Sequence, residues 1–176
     1  MAKDARERPG AAPKPTVSIR AATPADAQEI VKLVRALAAH VGDEALAKVT
    51  PGALAKAGEG PHPLWRGVIA EAGGKAVGMG LYCLQYSTWI GAPGLYVIDL
   101  YIVPGHRHGK MGRQLLAAIA RQGRALGCRF IRLDVDHRNT RADAFYERLG
   151  FERRGGDTIF LLKPEGFDAL AASGED

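Results

Sequence analysis

The sequence predicts a mixed α/β domain of the α+β type, and three observations predict it. Stretches with apolar residues at three- and four-residue steps alternate with stretches rich in β-branched and aromatic residues. Helix-start and helix-stop residues bracket the first kind. Glycine-containing turns bracket the second. The elements read in order as strand, two helices, three strands, then helix, strand, helix and strand. With 176 residues the chain is long enough to bury one proper core. A single domain is expected over residues 17–176, with 1–16 as a flexible tail rich in charge, alanine and proline.

Each element has a local reason. Val17–Arg20 is a short strand candidate. Thr23-Pro24 supplies a helix cap with proline in the first turn, and Ala27, Ile30, Val31, Val34, Leu37, Ala38 and Val41 form one apolar stripe up to Gly42. Thr50-Pro51 repeats that start signal for a shorter helix to about Ala57. Arg66–Glu71 and Ala76–Tyr86 flank AGGK, a hairpin turn. STWIGAPG, residues 87–94, is a second turn, and Leu95–Val103 is a long strand stopped by Pro104-Gly105. A helix from about Gly112 buries Leu115, Leu116, Ile119 and Leu126 and stops at Gly127. RFIRLDVD, residues 129–136, alternates as a half-buried strand should. Asn139 or Thr140 caps a helix to Leu149. Thr158–Leu162 is a last strand, and Pro164–Ala172 a terminal helix.

Charge is the first pointer to function. The chain carries a formal net charge of +5. Nine Lys or Arg residues lie between His106 and Arg141 against Asp134 and Asp136, a local excess of seven, so the remainder is slightly acidic. Basicity concentrated in one region implies an anionic partner there, either a polyphosphate cofactor or a nucleic acid. No aromatic platform interleaves with those arginines, which argues against nucleic acid. No apolar run approaches the roughly 18 residues needed to cross a membrane, and MAKDARERPGAAPKP lacks the apolar core of a signal peptide. The two cysteines, Cys83 and Cys128, read as reduced thiols, which suits a cytoplasmic protein. The five histidines lack metal-ligand spacing, so no metal is expected.

The basic region opens on HRHGKMGRQLL, residues 106–116, directly after the strand LYVIDLYIVP. A helix start exposes unpaired N–H groups and the positive end of the helix dipole. Glycines let backbone approach an anion, and lysine and arginine add charge. The turn therefore suits a pyrophosphate, although it is neither a P-loop nor a dinucleotide fingerprint.

Arg107-His108-Gly109-Lys110-Met111-Gly112, followed by NTRADAFYERLGF at Asn139–Phe151, resembles the two signatures of the GCN5-related N-acetyltransferase (GNAT) superfamily. YSTWIGAPGLYVIDLYIVPGHRHGKMG, SIRAATPADAQEIVKLVRALA and GEGPHPLW look most like its diamine (spermidine/spermine) and thialysine N-acetyltransferases. The resemblance implies a largely antiparallel sheet splayed between strands four and five and flanked by helices. It implies acetyl transfer from acetyl-CoA to a small primary amine, with coenzyme A as product, in a homodimer without nucleic-acid or membrane partners. The backbone of Leu100, Tyr101 and Ile102 would line the acetyl and pantetheine arm. His108, Gly109, Lys110, Met111, Gly112 and Arg113 would hold the pyrophosphate, with Arg107 opening the loop. Asn139, Thr140, Arg141 and Ala142 would touch pantetheine and adenosine. Tyr146 would protonate the departing thiolate, although periodicity alone makes it an ordinary helix aromatic. Asp99, Trp89, Arg132, Leu133 and Asp134 are the candidates for the acceptor site, with Asp99, Asp134 or a water held by backbone carbonyls as base.

The sequence departs from the family pattern at three places. Lys110 replaces a loop glycine, Ile98 replaces a glutamate that serves the amine, and Val41 lies where an acid is usual. Successive strand residues point to opposite faces, so Asp99 can stand in for position 98 only if a bulge intervenes. Lys110 and Ile98 also motivate the alternative of a coenzyme-binding module without catalysis.

Overall fold

The computed structural model describes residues 16–107, 110–137, 139–155 and 160–172. Residues up to Asp134 form one compact unit, and those from Val135 form a second.

The first unit opens with β1 (Val17–Ala21). Pro24–Asp26 make a single 3-10 turn before α1 (Ala27–Val41). The Thr23 N–H and hydroxyl both donate to Asp26 Oδ2, at 2.8 and 2.9 Å. Gly42 ends α1 at φ 85°, and its N–H reaches back to the carbonyls of Ala38 and Ala39. At the start of α2 (Pro51–Ala57) the Thr50 side chain accepts from the Ala53 N–H. Gly73 and Gly74, both with positive φ, join β2 (Arg66–Ala72) to β3 (Lys75–Ser87).

Strand β4 (Ala92–Ile102) starts three residues earlier than the sequence suggests, because Ala92–Gly94 continue the ladder with Gln85–Ser87. Helix α3 (Met111–Ala125) buries Leu115, Leu116 and Ile119 as expected. Leu126 does not join them. It falls past the last helical residue, its N–H bonded back to Gln122 and Gly123, and it is 43% exposed. Strand β5 covers only Ile131–Leu133, less than the stretch 129–136, since only these three residues pair with β4.

The sheet order is β1-β2-β3-β4-β5, antiparallel throughout except for the parallel pair β4–β5. Helix α1 covers one face, where Ile30 and Leu33 pack with Trp65, Ile69, Met79, Leu81 and Tyr101. Helix α3 covers the other. It comes close because Gly80 has no side chain: a Cβ there would lie 2.7 Å from Ile119 Cδ1. On that face the fully buried Tyr82 donates its hydroxyl to Gln122 Oε1 at 2.5 Å. A buried phenol thereby keeps its hydrogen bond.

Arg20 ties β1 to the start of α1. Its guanidinium meets Asp26 in a two-pronged pair at 2.7 and 2.9 Å and reaches Glu71 Oε1 at 3.0 Å. That pairing pulls the Asp26 carboxyl down to about 2. A carboxylate with a lowered folded pKa stabilises above its unfolded value and loses that contribution on acidification. Asp26→Asn should therefore cost about 1–2 kcal/mol at neutral pH, allowing for solvent around Arg20. The difference from the wild type should vanish between about pH 4 and pH 2, as urea melts at several pH values would reveal.

In the second unit, α4 (Thr140–Arg148) starts at Asn139, whose Oδ1 accepts from the Ala142 N–H at 3.1 Å. Arg153 pairs with Asp143 at 2.8 Å. Helix α5 spans Pro164–Ala172 as expected. Of the strand expected at Thr158–Leu162, residues 158 and 159 lie outside the described residues, and Phe160–Leu162 form no strand. A strand exists only by pairing, and no ladder takes these residues.

Candidate active site

Pairing between β4 and β5 ends at Val97 and Leu133. Strand β4 runs on to Ile102, so Ile98–Ile102 have no ladder neighbour on the β5 side among the described residues. This is the expected splay. The Val103 N–H bonds to Val77 on β3, so by alternation Tyr101 also turns to β3, and the backbone of Leu100 and Ile102 turns to the open side.

The same strand carries a bulge. Tyr82 faces Val97 and Leu81 faces Asp99, which leaves Ile98 as the extra residue. Facing residues share a side of the sheet. Val97 therefore lies with Tyr82 on the α3 face, and Asp99 lies with Leu81 on the α1 face. In a regular strand residues 97 and 99 would share one side, and position 98 would take the other. The bulge gives Asp99 the face that a residue at 98 would otherwise occupy. Ile98 itself is 45% exposed.

Asp99 is half-buried and has no side-chain partner among the described residues. Partial desolvation pushes its carboxyl pKa upward. Asp134 is different. It is exposed and accepts a hydrogen bond at 2.8 Å from the Tyr96 hydroxyl, whose pKa burial and this carboxylate push up to about 12. Arg132 faces Tyr96 across the β4–β5 ladder and is exposed, and Leu133 faces Val97. Of the two candidate carboxylates, Asp134 is engaged by Tyr96, while Asp99 has no side-chain partner among the described residues.

At the other end of the loop, α3 begins at Met111 with Lys110 as its cap. The Gln114 N–H is the first to close on this cap, at 2.8 Å from the Lys110 carbonyl. The N–H groups of Met111, Gly112 and Arg113 have no partner among the described residues, as the first turn of a helix leads one to expect. Lys110 sits at φ −93°, so the replaced glycine causes no backbone strain. No acid lies in this turn, and Arg113 is exposed. These donors and charges fit a diphosphate. His108 and Gly109, expected in the same cradle, lie outside the described residues.

Arg107 takes an unexpected direction. Its Nε donates to the Ile102 carbonyl at 2.8 Å, its Nη1 lies 3.0 Å from His40 Nε2, and its guanidinium carbon sits 5.3 Å from the Tyr101 ring centre. Sequence reasoning missed His40, because an exposed histidine in the last turn of a helix carries no motif. Trp89 is 95% exposed at the β3–β4 turn, next to the start of β4. Leu100 is eight strand steps further on, about 25 Å away. Of the acceptor candidates, Asp99 is seven strand steps from the start of β4, whereas Arg132 pairs beside Tyr96, four steps along it.

In the second unit Asn139, Thr140, Arg141 and Ala142 form the cap and first turn of α4. Tyr146 follows one turn later, edge-on to Phe145 and Phe151 at 5.1 and 5.4 Å. Burial pushes its phenol up to about 12.

The model of the acetyltransferase (GNAT) family matches residues 33–151. The chain belongs to the GNAT family. It is an acetyl-CoA-dependent N-acetyltransferase, which sets aside a binding module without catalysis. The thialysine N-epsilon-acetyltransferase of Bos taurus is 31% identical over 167 residues, covering 90% of this chain and 94% of that protein. The aminoglycoside N(6')-acetyltransferase type 1 of Salmonella typhimurium (strain LT2) is 30% identical over 87 residues, 48% of this chain and 60% of that one. Among solved structures, an aminoglycoside acetyltransferase from an uncultured soil metagenomic sample superposes with a TM-score of 0.72 at 16% identity. It covers 84% of this chain and 99% of that one. That likeness supports the GNAT fold.

Proposed function

We propose that this acetyltransferase acts on the terminal primary amine of a lysine-like amino acid, by direct attack in a ternary complex. The observation that carries the reading is Asp99: one half-buried carboxylate just past the last β4–β5 pair, with no side-chain partner among the described residues. One carboxylate suits one ammonium, whereas a polyamine calls for a row of acids. Apolar Val41 at the end of α1 and Ile98 on β4 thin that row further. Exposed Arg132 on β5 supplies a countercharge for an amino-acid carboxylate, and the bovine relative's name points the same way.

Bound acetyl-CoA supplies an acetyl thioester activated for attack by nitrogen. The N–H groups of Met111, Gly112 and Arg113, with Lys110, hold the diphosphate end. Asn139 to Ala142 serve the pantetheine and adenosine. The backbone N–H groups of Leu100 and Ile102, on the open side of β4, would stabilise negative charge developing on the acetyl oxygen. An amine in water has a pKa of about 10 and must lose a proton to attack. Asp99 takes that proton, and desolvation makes it a stronger base than a carboxylate in water. Tyr146 is the residue that the family resemblance assigns to the sulfur leaving group. The Cys128 thiol is pushed up by burial, so it makes a poor acyl carrier and favours direct transfer.

Rates with lysine, S-aminoethylcysteine, spermidine and an aminoglycoside, each at saturating acetyl-CoA, test the reading. One of the two amino acids should show the highest kcat/KM, with intersecting initial-velocity lines. Faster turnover of spermidine, or parallel lines diagnostic of an acyl-enzyme, would overturn it. A homodimer is part of the proposal. Exposed Trp89 and Ile90 at the β3–β4 turn support it, and sedimentation at twice the 18.8 kDa chain mass tests it.

A further inference from the structure

Arg107 stands three residues before the cap of α3, yet among the described residues its contacts lie on β4 and α1. Its Nε closes the loop back onto the Ile102 carbonyl, and its Nη1 meets His40 Nε2 in the last turn of α1. Guanidinium can only donate, so His40 Nε2 must be the acceptor and carry a free lone pair. The Tyr101 ring lies under the guanidinium, and its centre is 6.4 Å from that of His40. One planar fork is thus held at two edges and one face. A rigid group pinned in this way fixes the backbone that carries it, and only residues 108 and 109 separate that backbone from Lys110.

We infer that His40 is a positioning residue for the coenzyme. As acceptor for Arg107 it holds the residue that opens the strand-to-helix turn, just ahead of the helix start that receives the diphosphate. The inference rests on the reading of that helix start as the diphosphate site. Arg107 therefore serves the coenzyme from behind, by anchoring the chain that leads into it. Such a device stabilises the bound form by removing ordering that binding would otherwise require. It leaves the reacting atoms untouched, so the coenzyme's affinity should change and the chemical step should not. His40 is exposed, so its replacement leaves the buried core intact.

Four chains would be compared by calorimetric titration with CoA, steady-state kinetics and thermal melts: wild type, His40→Leu, His40→Gln and Gly112→Asp. One net hydrogen bond corresponds to about a 3- to 10-fold change in Kd. His40→Leu should raise the Kd for CoA and the KM for acetyl-CoA by that factor, with kcat within twofold and an unchanged melt. His40→Gln keeps an acceptor and should restore both constants. Gly112→Asp places a carboxylate against the helix start and should weaken CoA more than either. If Gly112→Asp binds CoA like the wild type, the reading of the helix start itself falls. If only Gly112→Asp weakens binding, that reading stands and the role of His40 is overturned. Gln behaving like Leu, or a fall in kcat with a lowered melt, would also overturn it.

Discussion

Asp99→Asn is expected to lower kcat/KM for the acceptor amine by about 10²-fold or more while raising the melting temperature at neutral pH. Both effects come from one property. The carboxyl is half-buried with no side-chain partner among the described residues, and partial desolvation raises its pKa. The folded state therefore holds the Asp99 proton more tightly than the unfolded chain does. Its contribution favours folding at low pH and turns unfavourable as pH rises through the raised value. An amide of the same shape escapes that cost and cannot accept the ammonium proton. In the wild type, kcat/KM should fall on acidification through the Asp99 pKa, and in the variant that limb should disappear. A variant that melts higher but keeps full activity would show that Asp99 is not the base.

Tyr146→Phe is expected to reduce kcat by about 10- to 10²-fold, with little change in KM for the amine. The magnitude follows from the phenol's environment. Burial holds its pKa near 12, whereas a thiol lies near ~8.5. Full proton transfer from phenol to thiolate is then uphill by about 5 kcal/mol. What Tyr146 can supply is a hydrogen bond to the developing thiolate, worth about 1.5–3 kcal/mol when its acceptor is charged. Its proton stays in place through ordinary assay conditions, so wild-type rates should show no alkaline loss from this group below about pH 11. Stopped-flow release of CoA thiol measures the step directly. An unaltered release rate in the variant would leave Tyr146 as simple packing between Phe145 and Phe151.

The elements of this chain were legible because their signals are local. Thr23-Pro24, Thr50-Pro51 and Asn139 cap helices through their own backbone neighbours, and Gly42 ends one by its own φ. The helix start after a basic, glycine-containing turn likewise depends only on nearby residues. Two misplacements, the long β5 and the buried Leu126, arose where a pattern continued past the contacts that sustain it. Alternation says which residues could form a strand, and only a partner strand decides where it stops.

The sequence by itself determined the family, the coenzyme and the turn that suits a diphosphate, since these rest on residue types at fixed short spacings. Tertiary structure decided which candidate carboxylate Tyr96 engages and where Asp99 faces. Counting by twos put Asp99 on the wrong side, and the unequal pairing of Leu81 and Tyr82 across β3–β4 put it right. It likewise turned Arg107 toward His40, 67 residues away along the chain. Local steric preferences are encoded next door, whereas a side chain's partner depends on segments that meet only once the sheet is built.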